Sequence, residues 1–122
     1  MNNLVSIVEI PTTDFSRAVS FYQTVLNVRI EEVDMDGIQM GVFPGNKHVV
    51  NVALIRGNEY KPSADGPVVY LSTGDDLQIT LDKIEPNGGK VIVPKTEISP
   101  EMGFFAMFID TEGNKLGLHS IR

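Results

Sequence analysis

The sequence contains no cysteine. The protein therefore has no disulfide, no thiolate metal site and no cysteine nucleophile. It also lacks any apolar run close to the ~20 residues that a membrane-spanning helix needs. Its first residues, Met1 to Val5, carry neither the charged leader nor the apolar segment of a signal peptide. These absences predict a cytoplasmic protein that does not act on a membrane.

Positive charge is also scarce. Lysine and arginine total 10 against 16 acidic residues, which gives a net charge of -6, and no basic run is present. Because binding to phosphate backbones depends on clustered lysine and arginine, this composition argues against a nucleic-acid partner. The 122 residues, 42% of them apolar, are typical of one globular domain. A chain of this length buries roughly two thirds of its unfolded surface on folding, so it needs no disulfide or other covalent cross-link to be stable.

The first part of the chain, about residues 1–56, predicts the element order β-α-β-β-β. A strand rich in valine and isoleucine covers Leu4 to Ile10. Asp14 is suited to cap the helix that follows, and Asn27 is suited to end it. Apolar residues recur at the spacing of an amphipathic helix at Phe15, Ala18, Val19, Tyr22, Val25 and Leu26. Three further strands are predicted over residues 28–33, 38–43 and 48–55.

The same order returns over residues 67–122, after a polar linker over residues 57–66. A helix is predicted to begin after Asp76 and to end at Asn87, where two glycines follow. Strands are predicted over residues 67–72, 90–93, 104–109 and 115–121, with the polar stretch 94–102 as a lid or rim loop. One unit alone leaves a face of its sheet uncovered. The prediction is a single α+β domain in which two modules form a cupped, barrel-like mixed sheet with helices outside.

Three segments of the chain resemble a known family. They are EIPTTDFSRAVSFYQTVLNV in the first module, with GPVVYLSTGDDLQITLDKIEPNGGKVIVPKTEI and FFAMFIDTEGNKLGLHS in the second. Nearly the whole chain is similar to the glyoxalase/bleomycin-resistance/dioxygenase superfamily, also called vicinal oxygen chelate (VOC) proteins. It most resembles a subgroup of predicted enzymes related to lactoylglutathione lyase. The resemblance implies a glyoxalase-like fold, a homodimer, a small-molecule ligand and a lyase-type activity.

In metal-using members of this family, His, Gln or Glu side chains hold a divalent ion that acts as a Lewis acid. The register of the motifs assigns four positions of this chain to those ligands, namely Ile7, Ala53, Val68 and Gly117. None of these side chains offers a nitrogen or oxygen donor. The resemblance therefore predicts a member without the usual metal and without another cofactor. A displaced metal site that uses Glu9, His119 and a third donor stays open, with a metal-dependent lyase or dioxygenase activity.

A second set of polar side chains is predicted beside those empty positions. Because side chains alternate across a strand, Glu9 shares the face of Ile7, and His119 shares the face of Gly117. An acid that points into a cup loses hydration unless a partner compensates it. Glu9 is therefore the candidate general base, with His119 or Tyr70 as its polar partner. A purely structural interpretation also stays open, in which Glu9 lies at the solvent-exposed rim of the cup and His119 only closes the sheet.

The same alternation places candidate ligand-binding residues on the inner face. They are Tyr70, Asn51, Met40, Phe105 and Gly117. The soft apolar surface of Met40 and Phe105 suits a flat organic molecule. Gly117 either leaves room for such a ligand or allows close packing. Two functions are consistent with this pattern. One is a protein that sequesters an apolar or aromatic small molecule, and the other is a lyase- or isomerase-like enzyme that uses Glu9 and His119.

Overall fold

The chain folds as two β-α-β-β-β modules, which a computed structural model describes over residues 4–45 and 50–122. The first module comprises β1 (Ile7–Pro11), α1 (Phe15–Leu26), β2 (Glu31–Met35), β3 (Ile38–Val42) and β4 (Asn51–Arg56). The second comprises β5 (Val69–Ser72), α2 (Leu77–Leu81), a short 3-10 helix (Glu85–Asn87), β6 (Lys90–Ser99), β7 (Gly103–Ile109) and β8 (Lys115–Ser120).

Each module forms its own four-stranded mixed sheet. The strand order is β1-β4-β3-β2 in the first sheet and β5-β8-β7-β6 in the second. In both sheets the first strand of the module pairs in parallel with the last, and the other pairs are antiparallel. The predicted α+β, glyoxalase-like arrangement of two modules is confirmed. Over the described residues, the two sheets do not join into a closed barrel within one chain.

Helix α1 forms where its apolar stripe and its caps predict it. Asp14 Oδ1 accepts the backbone N–H of Arg17 at 3.1 Å, and Asn27 ends the helix in the left-handed conformation with a φ of 53°. The buried stripe contacts both modules, since the rings of Phe21 and Phe108 lie 6.2 Å apart. One hydrophobic core is therefore shared by both helices and by one face of each sheet.

Two strands of the first module begin later than predicted. β1 begins at Ile7, and β2 begins at Glu31. The delay before β2 has a physical cause, because the backbone N–H of Val28 donates to the carbonyl of Gln23 at 3.2 Å and holds this segment against α1. The predicted start of β4 at His48 lies outside the described residues.

The helical segment of the second module is divided in two. Asp76 caps α2 as predicted, and its Oδ1 accepts the backbone N–H of Gln78 at 2.9 Å. The α-helix ends at Leu81, where the backbone hydrogen bonds change to three-residue spacing, with Lys83 N–H donating to Thr80 and Ile84 N–H donating to Leu81. Pro86, which has no N–H, then lies in the 3-10 turn. Gly88 then ends the 3-10 turn with a φ of 100°.

None of the helices in residues 4–45 and 50–122 is long and apolar enough to cross a membrane.

The predicted lid over residues 94–102 is wrong. Strand β6 continues to Ser99, and only residues 100–102 turn the chain into β7. β6 is an edge strand whose register against β7 shifts at three places, one of them between Val93 and Thr96. Such irregularities at an edge accommodate Pro94, which cannot donate a ladder hydrogen bond. The proline and polar residues of this segment therefore gave it the sequence pattern of a loop, although it forms part of strand β6.

Candidate functional site

Each sheet has a helix face, which lies in the shared core, and an open face, which is turned away from that core. On the first open face, Ile7 lies opposite Asn51, and Glu9 lies opposite Ala53. These four residues share one face, as strand alternation predicts. Ile7 is 64% exposed, and Glu9 and Asn51 are also exposed. The β1 side of the first open face is therefore uncovered.

Most of the first open face is apolar. Met40, which is half-buried, lies between Val33 on β2 and Ile55 on β4. Val33 is 38% exposed, and Met35 further along β2 is 56% exposed. Exposed apolar side chains that are grouped on one sheet face are typical of a binding or interaction surface.

The second open face carries aromatic and imidazole side chains. Tyr70 lies opposite Gly117, and Phe105 lies opposite His119. The ring centroids of Tyr70 and Phe105 are 6.4 Å apart, and the rings are inclined edge to face at 64°. Tyr70 is 48% exposed, while Phe105 and His119 are half-buried. We call Tyr70, Phe105 and His119 the aromatic platform. Val68 directly precedes β5 and is half-buried.

The space beside Gly117 is filled by the ring of Tyr70. A Cβ atom at position 117 would lie 2.8 Å from Tyr70 Cγ and closer still to two other ring carbons. Such separations are shorter than van der Waals contact. The glycine therefore allows the Tyr70 ring to lie against the backbone of β8. Of the two interpretations left open by the sequence, close packing matches the structure.

The imidazole of His119 is held by a backbone group that the sequence did not indicate. His119 Nε2 lies 2.6 Å from the carbonyl oxygen of Met102, in the turn between β6 and β7. The backbone N–H of Met102 in turn donates to Ser99 Oγ at 3.0 Å. A carbonyl is present at every residue, so the sequence has no specific signal for this contact. The glycine that follows, Gly103, is the nearest indirect sign of a tight turn.

Glu9 and His119 are not brought together within one chain. Glu9 lines a cleft of about 200 Å³. The other polar residues around this cleft are Lys61, Ser63, Asp65, Asn114 and Lys115. Its volume is below the roughly 300–1,000 Å³ of most small-molecule sites. His119 lies on the other sheet, and neither it nor Tyr70 lines this cleft. Within one chain, the predicted catalytic pair is therefore divided between the two sheets.

The residues present do not fit the family's metal site. Ile7, Ala53 and Gly117 occupy open-face positions without any donor atom, and Val68 has none either. In the part of the chain that the structure describes, no group of three His, Cys, Asp or Glu side chains is arranged to hold an ion. The displaced site based on Glu9 and His119 thus has no third donor there. The expectation of a cofactor-free protein stays a prediction.

A buried carboxylate joins the first module to the turn between β7 and β8. Glu112 accepts hydrogen bonds from the backbone N–H groups of Thr13 and Asp14 at 2.8 and 2.6 Å, and from Arg17 Nε at 2.8 Å. Thr111 Oγ1 donates to the same carboxylate at 2.8 Å. Burial opposes ionisation, but the hydrogen bonds outweigh it and hold the pKa of Glu112 below its ordinary value.

A second polar group links the modules inside the core. The hydroxyl of Tyr22 on α1 donates to Asp110 Oδ2 at 2.7 Å. Burial, followed by the Asp110 carboxylate, raises the pKa of Tyr22 well above its ordinary value, so the phenol stays a neutral donor. Asn114 Nδ2 donates to Asp110 Oδ2 at 3.1 Å and to the carbonyl of Pro11 at 2.7 Å. These bonds fix how the two sheets are oriented.

Comparison with protein families gives a match over nearly the whole chain. Residues 4–118 match the family model described as the Glyoxalase/Bleomycin resistance protein/Dioxygenase superfamily. A glyoxylase-like domain-containing protein of Didymella fabae is 28% identical over 119 residues, which cover 93% of this chain and 91% of that protein.

Solved structures with the same fold come from distant relatives. A mutant of glyoxalase I from Zea mays has a TM-score of 0.73 at 16% identity and matches 95% of this chain but 46% of its own. The chain thus spans about half the length of the maize protein. A glyoxalase/bleomycin resistance protein from Albidiferax ferrireducens has a TM-score of 0.73 at 14% identity, with 95% and 97% of the chains covered. A fosfomycin resistance protein from Listeria monocytogenes has a TM-score of 0.68 at 15% identity, with 98% and 91% covered.

Proposed function

Because the chain belongs to the glyoxalase/bleomycin resistance protein/dioxygenase superfamily, we propose that it is a small cytoplasmic protein that binds and sequesters an apolar or aromatic small molecule. The pocket forms between two copies of the chain, with one wall from the first open face of one copy and the other wall from the second open face of the other. The observation that carries this proposal is that the two open faces lie on separate sheets, both turned away from the shared core.

A second copy of the same chain is the partner that suits both open faces. The two faces are equivalent sides of a repeated structural unit. A two-fold axis therefore allows both pairs of faces to form in one dimer. Pairing covers Ile7 and Tyr70, which are 64% and 48% exposed in one chain. It also protects the outer edges of β1 and β5, which otherwise invite uncontrolled strand pairing.

The length of the maize glyoxalase I chain supports a unit made from two domains. This chain covers 46% of that protein, which leaves length for a second domain of similar size. Two copies of the present chain supply a comparable amount of structure without a covalent connection.

The proposed pocket has apolar walls and few polar groups, which is typical of small-molecule sites. Met40 and its apolar neighbours form one wall, and the aromatic platform forms the other. Glu9 and Asn51 supply polar contacts from the β1 side of the first open face. With no donor at the four family ligand positions, apolar contact and hydrogen bonds hold the ligand, and no metal is needed.

A lyase- or isomerase-like reaction is the second candidate function. In its favour, Glu9 forms no ion pair within the described residues, so its carboxylate is available as a base. In a dimer its polar partner is His119 or Tyr70 of the other copy. Glu9→Gln keeps the shape and a hydrogen-bonding side chain but removes the base, so an enzyme loses turnover while it still binds its ligand. Turnover that persists in Glu9→Gln excludes this role, and stoichiometric uptake of nickel, zinc or manganese favours the metal-dependent alternative.

Mixed dimers test whether the pocket is shared between chains. Aromatic compounds are first screened for binding by thermal shift. Met40→Glu and Phe105→Glu then each place a charge on one wall, and circular dichroism confirms that both variants fold. In a dimer of either variant alone, each of the two pockets contains one changed wall. Both variants are therefore expected to lose binding.

Co-expression of the two variants with different affinity tags gives mixed dimers. A shared pocket then has one site with two intact walls, so mixed dimers regain one binding site per dimer. Mixed dimers that regain no binding, or a wild-type chain that is monomeric at micromolar concentration, contradict the proposal.

A further inference from the structure

One contact of His119 indicates which nitrogen of its imidazole carries the hydrogen. His119 Nε2 lies 2.6 Å from the carbonyl oxygen of Met102. Because a carbonyl oxygen can only accept, Nε2 is the donor. In the neutral imidazole the other nitrogen, Nδ1, then has a lone pair and no hydrogen. Within residues 4–45 and 50–122, Nδ1 has no hydrogen-bond partner.

The group that fixes this tautomer is itself firmly held. Ser99 Oγ accepts the backbone N–H of Met102, and Gly103 follows with a φ of +84°. The position of a Cβ atom on Gly103 lies 2.7 Å from Ile121 Cα, so this turn packs tightly against the end of β8. The carbonyl of Met102 is therefore oriented by contacts on both sides, and it orients the imidazole in turn.

The free nitrogen belongs to the aromatic platform. Phe105 is the residue directly opposite His119 on the neighbouring strand, and the Tyr70 ring is inclined edge to face against Phe105. Directly opposite residues on one sheet face have their Cβ atoms about 5 Å apart. The imidazole and the two aromatic rings are thus neighbours on one sheet face, close enough for a single small molecule to contact them.

We propose that Nδ1 of His119 selects the ligand, which is an aromatic molecule that directs a hydroxyl or amino hydrogen at this nitrogen. This inference rests on the proposed pocket and names the chemical class of its ligand. A carboxylate or phosphate can only accept, so it could bind here only if the imidazole first took up a second hydrogen on Nδ1. The net charge of -6 also disfavours anions. The selected class is therefore neutral or cationic.

The tautomer can be measured without any ligand. The chain has two histidines, and His48→Gln leaves a single imidazole for nitrogen-15 NMR. In the neutral form of this imidazole, we expect the hydrogen on Nε2 and an unprotonated Nδ1. A hydrogen on Nδ1 overturns the inference, whether or not the pocket binds ligands.

A matched pair of probes tests the selectivity. 2-Naphthol has a hydroxyl hydrogen, and 2-methoxynaphthalene has the same ring system with that hydrogen replaced by a methyl group. We expect the wild-type dimer to bind 2-naphthol about tenfold more tightly, which is the usual effect of one additional hydrogen bond. Calorimetry or fluorescence gives the two dissociation constants.

Two substitutions separate the role of Nδ1 from the structural contact of Nε2. His119→Gln puts an amide donor near the Nε2 position and removes the acceptor near Nδ1, so the preference for 2-naphthol is expected to fall to about onefold. His119→Asn puts an amide oxygen near the Nδ1 position, so part of the preference is expected to remain. If His119 had only a structural role, neither substitution would change the preference for 2-naphthol over 2-methoxynaphthalene.

The possible results distinguish this inference from the proposed function. If both probes bind the wild type equally, or if His119→Gln keeps the preference, the pocket stands and the assignment of Nδ1 is wrong. If neither probe binds at millimolar concentration, the proposed pocket for aromatic molecules is wrong, and the assignment fails with it.

Discussion

Gly117 shows how one residue can be explained only by a neighbour in space. The sequence allowed either an empty pocket or close packing at this position. The structure places the ring of Tyr70 against it, and the backbone of Gly117 itself lies outside the left-handed region. Nothing local distinguishes the two outcomes, because the residue that decides between them is on another strand.

Gly117→Ala is expected to lower the free energy of unfolding by about 1–3 kcal/mol, because the new methyl group forces the Tyr70 ring out of its position. Urea unfolding measures the change. In a Tyr70→Ala background the obstacle is absent, so the same substitution is expected to be neutral or to stabilise by up to about 1 kcal/mol. Equal effects in the two backgrounds contradict the contact.

Glu112 gives a prediction that depends on pH. Its pKa is lower in the folded chain than the ordinary value of 4.5. The ionised carboxylate therefore contributes its full stabilisation above 4.5, and the contribution is lost as the pH falls through the lower, folded value. Wild type is thus expected to lose more stability in acid than Glu112→Gln, which has no charge to lose.

The measurement is urea unfolding at a series of pH values from about 6 to about 3. Near neutral pH, Glu112→Gln is expected to cost about 1–3 kcal/mol, because the hydrogen bonds to a charged acceptor are weakened. Glu101→Gln is the control, since Glu101 is exposed and its effect is expected to stay within about 0.5 kcal/mol. Parallel pH profiles for wild type and Glu112→Gln contradict the prediction.

At the scale of elements, the sequence predicted helix α1 well and strand β6 poorly. The caps and the apolar stripe of α1 are local, so the pattern from Asp14 to Asn27 contains what the helix needs. The length of β6 depends on how it pairs with β7, including three register shifts that no local pattern announces. Pro94 and the polar residues beyond it then favoured a loop prediction.

The turn between β6 and β7 allows a comparison of two glycines. Gly103 and Gly37 have nearly the same φ, +84° and +83°. No atom lies within 4 Å of a Cβ on Gly37, whereas a Cβ on Gly103 meets the backbone of Ser120 and Ile121. Both alanine variants incur the cost of a left-handed backbone, about 1–2 kcal/mol. Gly103→Ala is expected to cost about 1–3 kcal/mol more, because the contacted backbone cannot move aside.

Thermal or urea unfolding of the two variants measures this difference. Gly103→Ala is also expected to disturb the carbonyl that orients His119, and Gly37→Ala is not. Equal destabilisation by both substitutions shows that the packing beside Gly103 does not matter.

At the scale of the whole molecule, the sequence predicted which residues share a face of a sheet but not how the two sheets are arranged. Alternation correctly grouped Glu9 with Ile7 and His119 with Gly117. It contains no information on how the two sheets are oriented, which depends on the contacts of Tyr22 and Glu112 with the turn between β7 and β8. The candidate site was therefore predicted as residues but not as an assembled cavity.

Dimer formation is tested by two isoleucines with equal exposure. Ile7 on the first open face and Ile79 on α2 are each 64% exposed. Ile7→Lys is expected to weaken the dimer at least tenfold, because it puts a charge into the proposed interface. Ile79→Lys is expected to leave association unchanged. Sedimentation at several protein concentrations measures both, and equal effects of the two substitutions contradict the proposed interface.

The contact of Glu112 with Thr13 and Asp14 joins groups that are 99 and 98 residues apart along the chain. During synthesis, the amino-terminal helix is thus made long before its last partner leaves the ribosome. Until then Phe21 and Tyr22 lack the Phe108 and Asp110 side chains that they contact in the native core. The first half of the chain consequently stays incompletely packed until residues 108–112 have been synthesised. Folding therefore depends on contacts between residues that are far apart in sequence.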